Sequence, residues 1–428
     1  MQYLNHVLKK HLKEHGNINV AIFGIGFMGK SLVSQLEMID GINVFFAFSR
    51  NCDDCVDAFI KSKIEKERLK KFKSSVDLKN KYYTDDFDII FSKEFIDVCD
   101  VVIDATGDPY FGADLAKKCL DFNLDLITFN LEMDSVIGGF LSYEFNKKGV
   151  MYTGISGDEP GTIKELYDFA TLLGFEVIMV GKGKNNKLDT DADYESVNSL
   201  AKEKGISPKM LASFVDGSKT MIELTTISNA IGYKIQKDGG FGYESSIKNL
   251  ENILQPKEFG GLIEKEYSVE WINGIAPGVF ILIKTDNEII DHELKFLKLG
   301  KGPYFILYRP YHLTSIEVPV TIIQSHLLRI PTIQSKELAL TSDCVCVAKK
   351  DLKAGDYLDF SGGKTAYGMV VDGEKSISNS FLPFGFVKSN VKIIKDIKKG
   401  EFIKFSDCEI PDSQLLKYRK TFEKHLTF

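Results

Sequence analysis

Residues 19–29 read Asn-Val-Ala-Ile-Phe-Gly-Ile-Gly-Phe-Met-Gly, and this stretch decides the fold. Its apolar run predicts a buried parallel strand, and apolar residues at helical spacing follow the glycines. The first glycine permits a tight turn, the second lets the backbone approach a pyrophosphate, and the third lets the helix pack on the strand. A glycine-rich turn of another α/β protein is the alternative, but the flanking strand and helix favour dinucleotide binding. The cofactor-binding residues predicted here are Gly24, Gly26, Phe27, Met28 and Gly29.

The second predicted strand, residues 42–48, indicates which dinucleotide binds. It ends in Ser49-Arg50-Asn51, about 20 residues beyond the last glycine, where a site for NAD would place an acidic residue on the ribose 2′-hydroxyl. Ser49 offers a hydroxyl and Arg50 a cation, and both suit a 2′-phosphate. The alternative is an exposed arginine after a strand, which is common. We therefore expect NADPH as the cofactor, with NADH as the second choice.

Two further apolar runs complete the predicted first domain, an α/β domain with a doubly wound parallel sheet. Residues 98–107 are predicted to form a buried strand that ends in small residues, and residues 126–130 the next strand. The carboxyl ends of such strands face the cofactor crevice. The residues predicted at this crevice are Thr106, Gly107 and Asn130 for the cofactor and Glu132 for catalysis.

The composition is that of an ordinary globular protein. The chain has 428 residues, of which 44% are hydrophobic and 27% charged, enough for two or three domains. A net charge of −6 provides no basic field for nucleic acid or an anionic membrane. No apolar run has the length of a membrane span and the N-terminus does not resemble a secretory signal, so we expect a cytoplasmic protein. Cys52 and Cys55 predict a surface loop with two thiols rather than a zinc or redox centre.

Changes in pattern divide the chain into four predicted segments. The first alternates strand and helix patterns, the second has helices separated by glycines and strand-like runs, and the third reads as one helix that returns to the first domain. The fourth is a small β module. The segments are an NAD(P)-binding Rossmann domain (1–153), an α+β substrate-binding and dimerisation domain (154–316), the returning helix (317–337) and the β module (338–428).

The β module contains a duplication, because the sequence of residues 351–360 recurs at 396–405. Each copy is predicted to be a glycine-closed turn followed by an alternating strand. Two such copies can pair about a pseudo-twofold axis. The module resembles the SAF (antifreeze-like, β-clip) domain, for which a cap or interface role is the default expectation.

A pair of carboxylates precedes the helix predicted after residue 160. The sequence at 156–162 is Ser-Gly-Asp-Glu-Pro-Gly-Thr, and helix capping explains one of Asp158 and Glu159 but hardly both. The alternative is that both carboxylates hold a divalent cation, Mg²⁺ or Mn²⁺, while the helix N-terminus receives an anionic substrate group. Both interpretations stay open.

Two lysines lie in a glycine-rich loop at the end of a predicted strand. The loop reads Gly181-Lys-Gly-Lys-Asn, and lysine at such a position contacts phosphate or polarises a carbonyl and moves a proton. A solvated loop is the alternative. We predict that Lys182 is catalytic and that Lys184 and Asn185 bind substrate.

An acidic residue and a lysine open another predicted helix. Asp216, Lys219 and Glu223 share one face at i, i+3 and i+7. Lysine before glutamate is the less favourable order for an ion pair, so helix stability explains this trio poorly, although a solvated face remains the alternative. We predict that Asp216 and Lys219 are catalytic, since carbonyl reduction needs a proton donor.

Residues 299–313 combine glycine, proline, tyrosine, arginine and histidine, a mixture typical of a pocket wall. Arg309 is suited to bidentate binding of phosphate or carboxylate. His312 is either a structural histidine or a substrate ligand. We predict that both bind substrate.

Together these motifs resemble the homoserine dehydrogenase-like oxidoreductases that carry a C-terminal SAF domain. This group includes the type II 1-deoxy-D-xylulose 5-phosphate reductoisomerase-like enzymes. The resemblance spans nearly the whole chain and implies NAD(P)H-dependent carbonyl reduction, a homodimer and, in the reductoisomerase branch, a divalent metal. The motifs that carry it are the glycine turn, 101–107, 130–134, 157–161, 216–219 and 310–319.

Two departures from the family pattern bear on the substrate. Homoserine dehydrogenases resemble this chain but carry an Asn-Lys pair where it has Asn130-Leu131-Glu132, which argues against plain homoserine oxidation. Their helix also spaces the catalytic aspartate and lysine four residues apart, whereas Asp216 and Lys219 are three apart.

Three hypotheses follow for the function. In the first, an NADPH-dependent reductase or reductoisomerase acts on a small phosphorylated sugar whose carbonyl lies near Asn130 and Glu132 and is polarised by Lys182 or Lys219. The second is a dehydrogenase of an amino or hydroxy acid such as homoserine. The third is a non-catalytic NADP-binding sensor or assembly protein. The residues assigned to the distal anion of the sugar are Lys184, Arg309 and His312.

Overall fold

The computed structural model describes residues 2–426 and divides into two compact units. The first unit runs from the N-terminus to Gly161 and also contains Leu313–Glu337. The second comprises Thr162–His312 and the chain from Leu338 onward. The β module predicted from residue 338 therefore clusters with the second unit instead of forming one of its own.

The helices vary from one turn to five. They are α1 (Gln2–His15), α2 (Phe27–Leu36), α3 (Cys52–Lys61), α4 (Lys93–Ile96), α5 (Pro109–Phe122), α6 (Leu131–Lys148), α7 (Glu159–Leu172), α8 (Asn198–Lys204), α9 (Pro208–Val215), α10 (Ser218–Ile231), α11 (Leu250–Ile253), α12 (Glu288–Phe296), α13 (Val318–Ile322), α14 (Gly373–Asn379) and α15 (Gln414–His425).

The strands form two large sheets and two small ones. They are β1 (Ile18–Phe23), β2 (Ile42–Phe48), β3 (Leu69–Lys71), β4 (Lys81–Thr84), β5 (Val101–Asp104), β6 (Asp125–Thr128), β7 (Tyr152–Gly154), β8 (Glu176–Lys184), β9 (Lys234–Ile235), β10 (Tyr243–Glu244), β11 (Ser268–Asn273), β12 (Val279–Lys284), β13 (Tyr304–Arg309), β14 (Ser342–Ala348), β15 (Ala366–Asp372), β16 (Lys392–Ile393) and β17 (Cys408–Glu409).

The first unit is built on a seven-stranded sheet in the order β3-β4-β2-β1-β5-β6-β7, and every neighbouring pair is parallel. From β1 the chain proceeds outward first through β2 and then, in the opposite direction, through β5. This reversal creates a crevice at the carboxyl ends of β1 and β5, which is where open α/β sheets bind ligands. The predicted α/β class with an N-terminal Rossmann domain is confirmed.

The central strands could be predicted from the sequence because they are buried on both faces and therefore consist almost entirely of apolar residues. β2 is buried along its whole length, and six of its seven residues are apolar, as expected for a strand covered on both faces. Its polar residue, Asn43, donates to the side chain of Asn19 at 2.8 Å. No helix within residues 2–426 is long and apolar enough to span a bilayer.

The cysteine pair lies in a helix, so the predicted surface loop is wrong. Asn51 accepts a hydrogen bond from the backbone N–H of Asp53 and thereby starts α3 at Cys52. The Cys55 side chain points into the core of the first unit, and burial raises the pKa of its thiol to about 12.

The segment from Leu313 to Glu337 packs within the first unit. Its α13 is followed by one turn of π-helix at Ile323–Leu327. Farther on, Gly154 at the end of β7 forms an antiparallel bridge with Ile333, and the N–H of Gly154 donates to the Ile333 carbonyl at 2.8 Å. The segment thus extends the edge of the parallel sheet.

The second unit has a sheet in the order β10-β11-β8-β12-β13, in which β9 also pairs with β11. Helix α10 contacts β11 and, in the C-terminal module, β14 and β15. All but one of its 14 residues are buried. The C-terminal module therefore covers a helix that the sequence assigned to the substrate-binding domain.

The two copies of the duplication pair reciprocally, as their sequences predict. Leu352 and Ile397 exchange backbone hydrogen bonds at 2.9 Å each. Asp351 accepts from Lys398 Nζ at 3.0 Å, and the equivalent Asp396 accepts from Lys353 Nζ at 2.7 Å. The predicted alternating strands are wrong, however, because the segments after each turn form only isolated bridges with several different partners.

Candidate functional site

The glycine turn after β1 has the shape that a dinucleotide requires. Gly24 has φ of +100°, and a Cβ there would lie 2.6 Å from the carbonyl carbon of Ala105. A Cβ on Gly29 would lie 2.0 Å from the Gly24 oxygen, so α2 packs directly on the turn. A Cβ on Gly26 would meet no atom within 4 Å, which leaves the first turn of α2 accessible to a ligand. Phe27 there is 69% exposed, and Met28 is half-buried.

A buried carboxyl group lies beside this turn at the end of β5. Asp104 is fully buried and accepts hydrogen bonds from Thr106 Oγ1 at 2.6 Å and Thr106 N at 2.9 Å. Burial raises the pKa of Asp104 to about 6 despite these hydrogen bonds. The carboxyl group fixes the loop that leads to Gly107, where φ is +63° and a Cβ would meet no atom within 4 Å.

Asn130 is part of the same network. Its Nδ2 donates to Asp104 Oδ2 at 3.0 Å and to the Asp108 carbonyl at 2.8 Å, while its Oδ1 accepts from Met133 N at 3.1 Å as the cap of α6. The fully buried side chain thus holds the crevice loops together. Glu132 follows in the first turn of α6 and is half-buried.

The end of β2 presents a cation at the crevice edge. Ser49 Oγ accepts from Asn51 N at 3.4 Å, and Arg50 is exposed. Within residues 2–426, no carboxylate forms an ion pair with Arg50. The nearest acidic residues in the chain begin α3, and one of them, Asp54, pairs with Lys30 at 2.8 Å.

Asp158 and Glu159 lie at the start of α7, within the first unit. Asp158 is 9% exposed and its Oδ1 accepts from the N–H of Glu159 at 3.0 Å. A carboxylate oxygen of one residue lies within 4.8 Å of one of the other. Both capping and joint binding of a cation therefore fit this arrangement.

In the second unit, a buried ion pair connects β8 with α10. Lys182 Nζ donates to Glu223 Oε2, and the two side chains are 6% and 4% exposed. Glu223 lies one helical turn after Lys219, which is half-buried near the start of α10. The pair supplies a lysine whose position is fixed by a carboxylate, as a proton donor requires.

Lys184 follows on the same face of β8. Its Nζ donates to the carbonyl oxygens of Asn186 and Phe214, both at 2.7 Å. Burial, together with the charge of Lys182, lowers the pKa of Lys184 to about 8. The neighbouring Asn185 is exposed.

Asp216 does not share a helix face with Lys219 and Glu223, so this prediction is wrong. It is the C-terminal cap of α9, and Gly217 separates it from α10. Its carboxylate accepts from Lys349 Nζ at 2.7 Å, and burial raises its pKa although Lys349 opposes that shift. Sequence reasoning missed Lys349, because no motif marks a lysine that follows β14.

Arg309 ends β13 and has an internal partner. Its guanidinium donates to Glu165 at 2.7 Å and lies 4.7 Å from the centre of the Tyr311 ring. Val279 pairs with Lys182 on one side and with Arg309 on the other, so all three side chains occupy one face of the sheet. His312 is half-buried at the end of the segment Thr162–His312.

The middle part of the sequence matches a known family. Residues 157–318 match the family described as "Oxidoreductase DRL, catalytic domain". The match includes Lys182, Lys184, Asp216 and Glu223, and it ends before the C-terminal module. None of the curated proteins matches the chain.

The comparison with solved structures finds dehydrogenases and reductases. They include scyllo-inositol dehydrogenase from Lactobacillus casei with bound NAD(H) and scyllo-inositol (12% identity, 74% of this chain and 90% of that chain, TM-score 0.40). UDP-N-acetylglucosamine 3-dehydrogenase from Acidithiobacillus ferrooxidans has 8% identity over 74% and 92%, with a TM-score of 0.40. Dipicolinate-bound dihydrodipicolinate reductase from Paenisporosarcina sp. TG-14 has 14% identity over 75% and 97%, with a TM-score of 0.33.

Likenesses at this level assign no substrate to the chain. The match to an oxidoreductase catalytic domain is a sequence match, and it falls on the buried lysine–glutamate pair. The first unit independently has the parallel sheet and glycine turn of a dinucleotide-binding domain. The chain is therefore an NAD(P)-dependent oxidoreductase.

Proposed function

We propose that this oxidoreductase uses NADPH to reduce the carbonyl of a small phosphorylated sugar. The observation that carries the proposal is the buried pair of Lys182 and Glu223 with Lys184 two residues along the same strand. A fixed proton donor beside a second cation suits a substrate that has both a carbonyl and an anionic group.

The cofactor fits the residues of the first unit. The open position at Gly26 supports close approach of a pyrophosphate to the N-terminus of α2, and the Asp104–Asn130 network orients the loop at Thr106. The hydroxyl of Ser49 and the guanidinium of Arg50 would hold a 2′-phosphate, which supports NADPH over NADH. When bound, NADPH supplies the hydride.

The residues of the second unit supply the proton. Lys182 would polarise the carbonyl oxygen and donate a proton to it as the alkoxide forms. Glu223 would hold the ammonium group in place and favour its protonated form before the transfer, and solvent would return a proton to the neutral Lys182 afterwards. Lys219, near the start of the same helix, is the second candidate for the donor.

The anionic end of the substrate would bind to cations on the same sheet. Lys182 and Arg309 lie two strands apart on one face, about 10 Å from each other at the usual strand spacing. Lys184, also on that face, would contact the phosphate, and Arg309, held by Glu165, would contact a hydroxyl group at the other end of the sugar.

A divalent cation fits Asp158 and Glu159. Mg²⁺ usually takes only one or two carboxylates from a protein and completes its coordination with water and substrate oxygens. The two carboxylates would hold Mg²⁺ or Mn²⁺, whose charge would support an isomerisation before reduction.

The proposed enzyme is a homodimer. Helix α12 has no buried residue, and Ile289, Phe296 and Leu297 at its two ends are 78%, 77% and 63% exposed. Apolar surface of this kind on a single helix supports contact with a second copy of the chain.

The test is the consumption of NADPH by the full chain with a panel of ketose phosphates, unphosphorylated aldoses and an amino-acid semialdehyde, with and without chelator. We expect turnover only with phosphorylated sugars. Replacing Lys182 by Met should lower kcat about 100-fold or more. The matched control is Lys204→Met, an exposed lysine at the end of α8. Comparable turnover of the semialdehyde would favour the amino-acid dehydrogenase instead.

A further inference from the structure

A pocket of about 400 Å³ opens beside Trp271 in the second unit. Its size is within the range of small-molecule sites. β11, the start of α10, β15 and the loops near residues 188 and 240 contribute its walls. The uncharged side chains that line the pocket include Leu188, Met221, Phe241, Trp271, Asn273 and Tyr367.

The wall around Trp271 is rigid and preformed. A Cβ on Gly242 would lie 2.1 Å from the indole ring, so the glycine loop rests directly on it. The indole Nε1 donates to the Gly239 carbonyl at 3.0 Å. Below the loop, the buried Glu270 accepts from the N–H groups of Phe241 at 2.9 Å and Gly242 at 3.2 Å. The aromatic surface is therefore held in place without a ligand.

One polar atom in the wall lacks a partner. Within residues 2–426, the buried Oδ1 of Asn273 accepts no hydrogen bond, whereas its Nδ2 donates to Glu244 at 3.4 Å. Buried acceptors are almost always paired. A hydroxyl group of a ligand in the pocket would satisfy this oxygen.

Two lysines give the pocket an excess of positive charge. Lys187 and Lys237 line the pocket and are exposed, and neither forms an ion pair within the described part of the chain. Of the three acidic residues in the wall, Asp216 is paired with Lys349 and Asp238 with Lys375, while Glu244 accepts from Asn273 Nδ2. The two lysines therefore outnumber the one carboxylate of the wall that no cation within residues 2–426 neutralises, and the pocket favours an anion.

We propose that the pocket beside Trp271 binds the phosphorylated sugar itself. The phosphate would bind to Lys187 and Lys237 and, from the adjacent strand, to Lys184, which pairs with Asn273. A hydroxyl would donate to Asn273 Oδ1, and the carbon skeleton would pack against Trp271. This inference rests on the proposed function, which supplies the class of substrate. It adds substrate-binding residues that were not predicted from the sequence.

The register of the sheet supports this position. Trp271 pairs with Lys182 and Asn273 with Lys184 across β11 and β8, so the four side chains lie on one face of two adjacent strands. The ligand in the pocket would then lie one strand away from the lysines proposed for reduction.

Trp271 is the single tryptophan of the chain, so its fluorescence reports on this pocket. The experiment is a titration of the full chain, without NADPH, with ribose 5-phosphate and separately with ribose. We expect a saturable change with ribose 5-phosphate and at least about tenfold weaker binding of ribose, because only the phosphate contacts the lysines. The double variant Lys187→Ala, Lys237→Ala should lose most of this difference, because only Lys184 remains to contact the phosphate.

The control is the double variant Lys202→Ala, Lys204→Ala, which removes two exposed lysines of α8 outside the pocket. It should titrate like the natural chain. A titration without saturation, equal binding of ribose, or equal affinity in both double variants would overturn the proposed pocket. If the titration succeeds but no sugar phosphate consumes NADPH, the pocket stands and the proposed reduction fails. If NADPH is consumed while the fluorescence stays unchanged, only the pocket fails.

Discussion

Asp216 and Lys349 form a buried ion pair, with 2.7 Å between the carboxylate oxygen and Nζ. Their side chains are 0% and 3% exposed. Lys349 also donates to the carbonyl oxygens of Ala192 and Gly363 at 2.6 and 2.8 Å. The pair joins the end of α9 to the C-terminal module and adds to the packing of α10 on β14 and β15.

Removing one partner of this pair should destabilise the second unit strongly. Replacing Lys349 by Met leaves the buried Asp216 carboxylate without its cation, and such a loss typically costs about 3 to 5 kcal/mol. Urea unfolding at neutral pH, followed by circular dichroism, measures the change in the free energy of unfolding.

The double variant Asp216→Asn, Lys349→Met is the control for that experiment. It removes both charges, so most of the lost stability should return. If the double variant is as unstable as Lys349→Met, the lysine acts through packing and its carbonyl contacts rather than through Asp216.

Two glycines of the same turn, Gly26 and Gly29, should respond differently to replacement by alanine. Gly26→Ala should leave the fold intact, since its Cβ meets no atom within 4 Å and its φ of −82° suits any residue. The methyl group would occupy the space proposed for the pyrophosphate and weaken NADPH binding at least about tenfold. Calorimetric titration with NADPH gives the affinity.

Gly29→Ala, in contrast, should destabilise the fold. Its Cβ would lie 2.0 Å from the Gly24 oxygen, so α2 must shift, and overpacking of this kind costs about 1 to 3 kcal/mol. A lower melting temperature is expected for Gly29→Ala and an unchanged one for Gly26→Ala. Equal NADPH affinity of Gly26→Ala and the natural chain would contradict binding at this turn.

The first unit could be predicted from the sequence because its signals are local. The apolar run of β2 and the glycines after β1 each determine structure within a few residues, and the parallel order follows from strand–helix alternation. The role of Asn130 was less accessible. Its position at the crevice was expected, but its amide is engaged by Asp104 and Asp108, which lie 26 and 22 residues earlier.

The second unit was harder because its pairs are distant in sequence. Lys182 and Glu223 are 41 residues apart, and Asp216 and Lys349 are 133 apart. Helical spacing places Lys219 and Glu223 on one helix, as in the structure, but assumes that this helix already includes Asp216. Gly217 has φ of +88° and begins a new helix there, which turns Asp216 away from the expected face.

Asp104 predicts a pH dependence of stability. Its pKa of about 6 in the folded state exceeds the ordinary value of 3.8, because burial disfavours the charged form. The folded state therefore holds this proton more tightly, and the stability from this group is full below pH 3.8 and is lost as pH rises through 6. The total is about 3 kcal/mol. Asp104→Asn cannot ionise and should flatten this part of the profile.

Urea unfolding of the natural chain and of Asp104→Asn at several pH values measures the effect. The useful quantity is the difference between the two proteins at each pH, since other groups titrate in both. A constant difference between about pH 4 and pH 7 would mean that Asp104 is ionised throughout this range.

Lys184 predicts a pH dependence of activity. Burial and the charge of Lys182 lower its pKa to about 8, so Lys184 loses its charge just above neutral pH. If it contacts the phosphate of the substrate, KM should rise as pH increases through 8 while kcat changes less. Lys184→Arg keeps a cation at all accessible pH values and should move this rise in KM to higher pH.

Steady-state measurements with a reactive ketose phosphate provide both constants. The matched control is Lys204→Arg, in which an exposed lysine changes in the same way. A rise in KM at the same pH in all three proteins would assign the titration to another group and remove Lys184 from the phosphate site.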